Sequence, residues 1–265
     1  MMEKMIFGRY VPANSILHSM DPRSKLLFIF GFICVVFLAD NLVTYAILGA
    51  FTLTALIFSN LPIRFIIGGL KPILWLILFT FFLHVFFTKE GGVILDLGFL
   101  KVHEEGLRQG IFISLRFFYL ILITSLLTLT TSPITITDGL ETLLNPLRKV
   151  KFPVHELALM MSISLRFIPT LMEETDKIMK AQMARGAEFS SGPVKERIKA
   201  IIPLLIPLFV SAFKRAEDLA TAMEARGYQG GEGRTKYRLL SWHKKDTGAL
   251  VVLGILTVLL LLFRG

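Results

Sequence analysis

The chain has 265 residues, of which 54% are hydrophobic, and its formal net charge is +9. Its mean hydropathy of +0.65 and its long uncharged runs exclude an ordinary soluble domain and indicate an integral membrane protein. A single cysteine, Cys34, excludes an internal disulfide and a metal cluster built from cysteines, and a basic charge in a membrane protein is the usual mark of cytoplasmic segments.

The N-terminal segment is polar up to Lys25 and has no apolar run followed by a cleavage site, so we expect no removable signal peptide. Asp21-Pro22 predicts a helix start, because proline is tolerated in the first turn. Two apolar runs follow, at 26–39 and 42–58, separated by Asp40-Asn41. One long helix is conceivable, but we interpret the runs as two spans, because this arrangement puts the flanking basic residues on one side of the membrane.

Further spans are predicted at 73–87, which is rich in phenylalanine, and at 107–131. Residues 88–108 between them lack a basic excess and are predicted to form an external loop. Arg116 lies inside the fourth span. An intramembrane arginine either faces a polar partner inside the bundle or extends to the headgroups, and the sequence leaves both readings open.

Residues 132–246 have a different character, with 18 Lys and Arg against 13 Asp and Glu and no apolar run of spanning length. Their charge predicts a cytoplasmic domain. Its first helix is expected over 134–147, with Thr137 and Asp138 near the start. Residues 153–185 carry apolar residues at helical spacing, which predicts an amphipathic helix with a kink at Pro169.

After a turn at 190–193, a second long helix is predicted over 194–226. Its middle, 200–213, is apolar and contains two prolines, so we expect it to lie at the membrane interface or under other helices rather than to cross the bilayer. A glycine-rich turn at 230–233 and a last span at 247–263 complete the chain.

The predicted fold is therefore an all-α integral membrane protein with about five transmembrane helices and a cytoplasmic domain of long amphipathic helices. Its predicted domains are an N-terminal transmembrane bundle of about four spans (1–131), the cytoplasmic domain (132–246) and a C-terminal transmembrane helix (247–265). The N-terminus is expected in the cytoplasm of a prokaryotic cell, with the C-terminus outside.

The two long cytoplasmic helices end in a repeated hexad with the frame Ala-x-x-Ala-Arg-Gly, at 181–186 and 222–227. An acidic residue, Asp176 or Glu217, stands at the same offset before each copy. Glycine predicts a left-handed helix end, and arginine in the last turn complements the helix dipole. Helix capping alone explains the Arg-Gly pair. The shared alanine and the shared spacing, however, suggest two similar helix ends that bind two similar sites on partners.

The sequence shows no constellation typical of an enzyme. It contains no phosphate-binding Gly-x-x-x-x-Gly-Lys-Ser/Thr loop, no nucleophile elbow, and its five histidines lack the spacing of metal ligands. We therefore expect neither ATP hydrolysis nor a bound cofactor, and no nucleic acid as a partner.

The Asp21–Lys25 segment, the four-span bundle, the Ser164–Pro169 stretch (Ser-Leu-Arg-Phe-Ile-Pro), the paired Ala-Arg-Gly tripeptides and the final span together resemble one family. It is similar to the transmembrane coupling subunits, or T components, of energy-coupling factor (ECF) transporters, which are related to cobalt-transport permeases. The resemblance covers nearly the whole chain, and the paired Ala-Arg-Gly is its most specific element.

The resemblance implies that each Ala-Arg-Gly end, at Ala184, Arg185 and Gly186 and at Ala225, Arg226 and Gly227, inserts into a groove of an ATP-binding-cassette ATPase. ATP and Mg²⁺ would be held by these two ATPases, not by this chain. It also implies an apolar platform for a small substrate-binding membrane subunit, the S component. The residues expected to form that platform are Ile201, Pro203, Leu204, Pro207 and Leu208.

Three alternatives remain open in the sequence. The chain fits equally a dedicated permease subunit for one substrate, such as biotin, cobalt or nickel, since another chain would recognise that substrate. A membrane enzyme acting on lipids would be expected to have a cluster of acidic, histidine or serine residues at one membrane face, which the sequence does not show. A scaffold without energy coupling would bind its partners independently of nucleotide.

Overall fold

The computed structural model describes residues 10–96, 101–187, 189, 193–231 and 239–264. The described residues form two compact units. Residues 10–143 with 240–264 make one, here called the bundle unit, and residues 144–239 make the other, the crossing unit.

Helices dominate both units, and a two-stranded antiparallel sheet accompanies them in the bundle unit. The elements in chain order are α1 (Pro22–Val36), α2 (Leu42–Ser59), α3 (Ile63–Phe87), β1 (Val93–Asp96), β2 (Lys101–His103), α4 (Glu104–Thr130), α5 (Pro133–Leu144), a 3-10 helix (Asn145–Val150), α6 (Val154–Ala184), α7 (Val194–Ala225) and α8 (Lys244–Leu262). The described chain is therefore an all-α protein with one small hairpin.

The first two helices begin at side-chain caps that the sequence encodes. The Asp21 side chain accepts a hydrogen bond from the backbone N–H of Arg23, and Pro22 occupies the first helical position. Asn41 accepts from the N–H of Thr44, whose hydroxyl lies 3.1 Å from the Asn41 backbone nitrogen, forming a reciprocal capping box. The predicted Asp-Pro start and the break at Asp40-Asn41 are both confirmed.

The core of the bundle unit lies between α1, α2, α4 and α8, towards the Asp40-Asn41 turn. Its fully buried side chains include Phe32, Tyr45, Leu48 and Leu260. Gly49 permits a close approach of α4, because a Cβ there would lie 2.8 Å from the Tyr119 hydroxyl oxygen. The Tyr119 hydroxyl donates to the Tyr45 carbonyl at 3.3 Å.

Among the described residues, four helices are long and apolar enough to cross a membrane, namely α2, α4, α6 and α8. The helix α3 becomes a fifth if its two parts, bent by 54°, form one span. The predicted class and number of spans are confirmed, but the membership differs. With 15 residues, α1 extends about 22 Å, less than the hydrocarbon thickness. Conversely, α6 meets the test of length and composition, so the expectation that residues 132–246 contain no stretch of spanning length was wrong.

Two local predictions need correction. Residues 88–108 contain the β1–β2 hairpin, and α4 begins at Glu104. The helix expected over 134–147 begins at Pro133, and Thr137 lies buried within it, donating its hydroxyl to the Pro133 carbonyl. The turns at 190–193 and 230–233 fall largely outside the described residues. The predicted limits of the membrane and cytoplasmic domains, at 131/132 and 246/247, stay predictions. The two compact units are defined by contacts within the chain and do not show where the bilayer lies.

Arg116 has a partner inside the bundle unit. Its guanidinium donates to the Ala39 carbonyl at 3.0 Å and lies 5.2 Å from the centre of the Phe37 ring. Ala39 belongs to the turn between α1 and α2, where the preceding helix leaves carbonyls without intrahelical partners. Of the two readings of this arginine, the described contacts favour a polar partner inside the bundle over extension to the headgroups.

Candidate functional site

Both hexads form the same type of helix end. After α6, the N–H of Ala187 donates to the Gln182 carbonyl and the N–H of Gly186 to that of Met183, each at 3.0 Å. After α7, Tyr228 and Gly227 make the equivalent bonds to Met223 and Glu224, at 3.0 and 2.9 Å. These pairs define a Schellman motif, which satisfies the last carbonyls of a helix.

The glycine in each hexad is required by the backbone, as the sequence predicted. Gly186 and Gly227 have φ angles of 89° and 75°, a region that side chains with a Cβ rarely adopt. The space around both is open, since a Cβ at either position would meet no atom within 4 Å.

The two arginines are presented to the surroundings. Arg185 and Arg226 are both exposed, as are Ala184 and Ala225 before them. Within the described part of the chain, neither guanidinium forms an ion pair, although four arginines elsewhere do. Each unit of positive charge is therefore available to a partner.

A charged contact joins α6 to α7 near the middle of both helices. The Glu174 carboxylate accepts hydrogen bonds from the Arg215 guanidinium and, at 3.0 Å, from the Ser211 hydroxyl. Glu174 stands 11 residues before Arg185, and Arg215 stands 11 residues before Arg226. The contact thus joins equivalent positions of the sequence repeat.

A second contact shows the relative direction of the two helices. Pro207 has no N–H, so the Pro203 carbonyl lacks its normal partner one turn later. The Gln182 amide, eight residues after Glu174, donates to that carbonyl at 3.4 Å. Because higher numbers on α6 meet lower numbers on α7, the two helices run in opposite senses, and each arginine lies about 16 Å along its helix from the central contact.

An apolar cavity of about 450 Å³ in the bundle unit and a smaller one of about 320 Å³ in the crossing unit accompany these features. The smaller cavity lies between α6 and α7 and includes Leu171 and Ala212, which are again equivalent positions of the repeat. One side of the crossing is therefore open rather than packed.

Four of the five predicted platform residues have accessible surface. Ile201, Pro203 and Pro207 are exposed and Leu208 is half-buried, whereas Leu204 is buried. The same stretch of α7 exposes large apolar side chains that the prediction did not include. These are Ile202, Leu205, Ile206, Phe209, Val210 and Phe213.

Sequence reasoning missed a buried polar network at the start of the bundle. The Asp246 side chain, at the first turn of α8, is fully buried and accepts three hydrogen bonds. The donors are the Asp21 N–H at 2.8 Å, the Ser24 hydroxyl at 2.8 Å and the His243 N–H at 2.7 Å. One carboxylate therefore ties the beginnings of α1 and α8, which are more than 200 residues apart in sequence.

The same network extends to α4 through a buried lysine. The Lys25 ammonium donates to the Thr130 carbonyl at 3.2 Å and to the Thr131 hydroxyl at 2.9 Å. Arg23 pairs with Asp21 and lies over the Trp242 ring. The Asp21–Lys25 segment thus links the beginnings of α1 and α8 to the end of α4 through hydrogen bonds. A signal for this role was present in the sequence, in the density of polar residues at an apolar boundary.

Comparison with known proteins agrees with this architecture. A family model described as a cobalt transport protein (CbiQ) matches residues 13–237. The energy-coupling factor transporter transmembrane protein EcfT of Bacillus subtilis (strain 168) is 68% identical over 265 residues, covering 100% of both chains. Its namesakes from Listeria innocua and Exiguobacterium sibiricum are 60% identical over 265 residues, covering 100% of both chains, and 59% identical over 261 residues, covering 98% of this chain and 99% of the relative. The chain therefore belongs to the CbiQ family and, within it, to the EcfT transmembrane proteins of energy-coupling factor transporters.

Proposed function

We propose that this membrane component of an ECF transporter couples ATP hydrolysis by two partner ATPases to movement of a small substrate-binding membrane subunit. The observation that carries the proposal is the pair of exposed Arg-Gly helix ends, placed at equal distances on either side of the Glu174–Arg215 contact. Such an arrangement presents the same Ala-Arg-Gly helix end twice, on either side of the contact between α6 and α7. Two similar ATPases that lie side by side would each need one such end.

Each end would dock into a groove of one ATP-binding-cassette ATPase. The small Ala184 and Ala225 let the helix end approach a groove closely, and the guanidinium of Arg185 or Arg226 pairs with groove carboxylates. Bidentate pairs of this kind are short, strong and geometrically specific. ATP and Mg²⁺ are bound by the ATPases, and this chain contributes no catalytic group.

The two long helices would transmit the motion of the ATPases. When the ATPases approach and separate, the C-terminal parts of α6 and α7, which end at Arg185 and Arg226, move with them. The angle between the two helices then changes. The open cavity on one side of the crossing leaves room for such a change. Pro203 and Pro207 remove two main-chain donors from α7, which makes bending at this point less costly than in an uninterrupted helix.

The exposed apolar stretch of α7 would serve as the platform for the substrate-binding subunit. Ile201, Pro203, Pro207 and Leu208 belong to it, with Ile206 and Phe209 as additional contact residues, whereas Leu204 is buried. Exposed apolar patches of this size mark contacts with proteins or lipid. A shift of the platform would tip the bound subunit between outward-facing and inward-facing orientations.

The orientation of the chain follows from its charge. In this proposal the basic crossing unit and the N-terminus lie in the cytoplasm, where the ATPases bind, and the hairpin after α3 lies outside. This orientation requires α1 to cross with α2, α3, α4 and α8, its flanking basic residues extending to the headgroups, and α6 to lie at the cytoplasmic surface. The cell membrane of a bacterium is the corresponding location.

Co-purification of partners with the tagged full chain tests the proposal. Wild type is expected to retain two ATP-binding-cassette ATPases and a small membrane protein. Arg185→Glu/Arg226→Glu is expected to lose only the ATPases, because it places like charges across each groove. A matched control, Lys177→Glu/Lys214→Glu, reverses two exposed charges on the same helices and should retain them. Retention of the ATPases by the arginine variant would show that the arginines are only helix caps.

A further inference from the structure

The larger apolar cavity lies in the bundle unit, away from the residues used in the proposed coupling. It has a volume of about 450 Å³ and lies between α1, α2, α4 and α8, at the end of the bundle where α1 and α8 begin. Ile16, Leu17 and Met20 line that end. Ligand cavities in proteins have volumes of this order.

The exposed lining residues within helices all lie on α2 and α8, which puts the mouth of the cavity between these two helices. At the opposite end of the bundle these helices are held together, since the Asn41 amide before α2 donates to the Phe263 carbonyl after α8 at 2.6 Å. Towards the cavity, the lining residues Phe58 on α2 and Val252 on α8 are 52% and 46% exposed. The opening therefore faces the position that lipid chains occupy around a membrane helix bundle.

Two ammonium groups mark the polar end of this cavity. Lys25 and Lys245 both belong to its lining. Lys25 is fixed by Thr130 and Thr131. Lys245 is exposed, and its ammonium donates to the Ser19 hydroxyl at 3.2 Å. Among the described residues it has no other acceptor, so two of its three N–H groups are open to a ligand.

The nearby carboxylates offset only part of the positive charge at this end. Asp21 pairs with Arg23, and Asp246, whose three hydrogen-bond donors are uncharged, is the counter-charge of Lys25. Lys245 therefore remains without a carboxylate partner among the described residues. An anion is favoured there by charge, and a lysine close to a membrane surface contributes about 1 kcal/mol to the binding of anionic lipid.

We propose that this cleft binds one anionic phospholipid of the surrounding bilayer, with an acyl chain between α2 and α8 and the phosphate at Lys245. The apolar part from Lys245 to Val252 extends about 10 Å along α8, which fits within the half-thickness of about 15 Å that one leaflet provides. The proposal assigns the cavity to a structural lipid and goes beyond the coupling function, on which it does not depend.

Native mass spectrometry of the full chain, purified with its partners and titrated with phosphatidylglycerol or phosphatidylcholine, tests this assignment. Phosphatidylglycerol is expected to bind more tightly. Lys245→Gln should weaken it about five-fold, the equivalent of about 1 kcal/mol, and leave phosphatidylcholine unchanged. Lys244→Gln, at the adjacent exposed lysine outside the lining, is the matched control and should have little effect.

A second variant tests the position of the acyl chain. Val252→Trp fills the mouth of the cleft and should weaken both lipids. Equal losses in Lys244→Gln and Lys245→Gln would reduce the effect to diffuse surface charge, and unchanged binding in Val252→Trp would place the chain elsewhere. A partner helix cross-linked to Phe58 or Val252 would assign the cleft to a protein. Any of these three results overturns the proposal, whether or not the ATPases dock at the arginines.

Discussion

The two units use charged residues at helix ends in opposite ways. In the bundle unit, Asp246 and Lys25 are buried, and their hydrogen bonds go to other helices of the same chain. In the crossing unit, Arg185 and Arg226 end their helices exposed, and the backbone alone satisfies the last carbonyls. A buried charge needs internal partners to be tolerated, whereas a charge left outside such a network is free to recruit a partner.

This difference predicts that substitutions in the bundle unit change stability, whereas substitutions at the arginines change assembly. The largest loss of stability is expected for Asp246→Ala, which removes three hydrogen bonds to a buried carboxylate and leaves the Asp21 N–H buried without an acceptor, while the Ser24 hydroxyl keeps the Asp21 carbonyl. Because hydrogen bonds to charged groups contribute about 1.5–3 kcal/mol each, the free energy of unfolding should fall by about 3 kcal/mol or more. Thermal unfolding of the purified protein in detergent measures the change.

The control for Asp246 is Asp40→Ala. Asp40 pairs with Arg264 at 3.2 Å, but the two side chains are 39% and 50% exposed. Exposed pairs contribute about 0–1 kcal/mol, so the unfolding midpoint should move little. Equal shifts for the two aspartate variants would refute the distinction between the buried and the exposed carboxylate.

The Glu174–Arg215 contact is expected to have an intermediate effect. Glu174→Gln and Arg215→Gln should each cost about 1–2 kcal/mol, because a charge-assisted hydrogen bond is lost between half-buried groups. In a double-mutant cycle the two changes should not be additive, since they remove the same interaction. Additive losses would mean that the two side chains do not stabilise the crossing together.

A smaller loss, about 1 kcal/mol each, is expected for Gly186→Ala and Gly227→Ala. No atom obstructs the new methyl group, so the loss comes only from the positive φ. Gly248→Ala is the control, because Gly248 lies in α8 with equally open space and no positive φ. It should stabilise the protein by about 0.5–1 kcal/mol. The same sign of change at all three positions would contradict the assigned backbone conformations.

The smallest effect on stability is expected for Arg185→Ala and Arg226→Ala, within about 0.5 kcal/mol, as is usual for exposed positions. Retention of ATPases should nevertheless fall, though less than in the charge-reversed variant, because alanine adds no repulsion. A large loss of stability with unchanged retention of the ATPases would show that the arginines, like Asp246, stabilise the fold rather than bind partners.

Local signals in the sequence predicted most helices and both helix ends. Asp21-Pro22 and the Arg-Gly ends depend on neighbouring backbone groups, which the sequence contains. The Asp246 and Lys25 contacts depend on which helices become neighbours, and residues more than 100 positions apart give no local sign of it. The shared offset of 41 residues links Glu174 to Arg215, and pairing of equivalent positions in an antiparallel repeat could have identified that contact.

The spans show where composition and helix length disagree. An apolar composition with flanking basic residues predicts α1 as a span, whereas its helix of 15 residues is shorter than the hydrocarbon thickness. In α6, the first half is long and apolar enough to belong to a membrane span, whereas the second half carries charged residues. Helix length depends on caps and turns, which hydropathy averages do not include.

The most direct test of the central claim is photo-cross-linking from the two helix ends. Cys34 is the chain's one cysteine, so Cys34→Ser allows a benzophenone label at a single introduced site, Ala181→Cys or Ala222→Cys, which are equivalent exposed positions one turn before the arginines. Both labels should form adducts with ATP-binding-cassette ATPases, whereas a label at the exposed Thr54→Cys of α2 should not. Adducts of both end labels with lipid or the small membrane subunit, and none with an ATPase, would contradict the account.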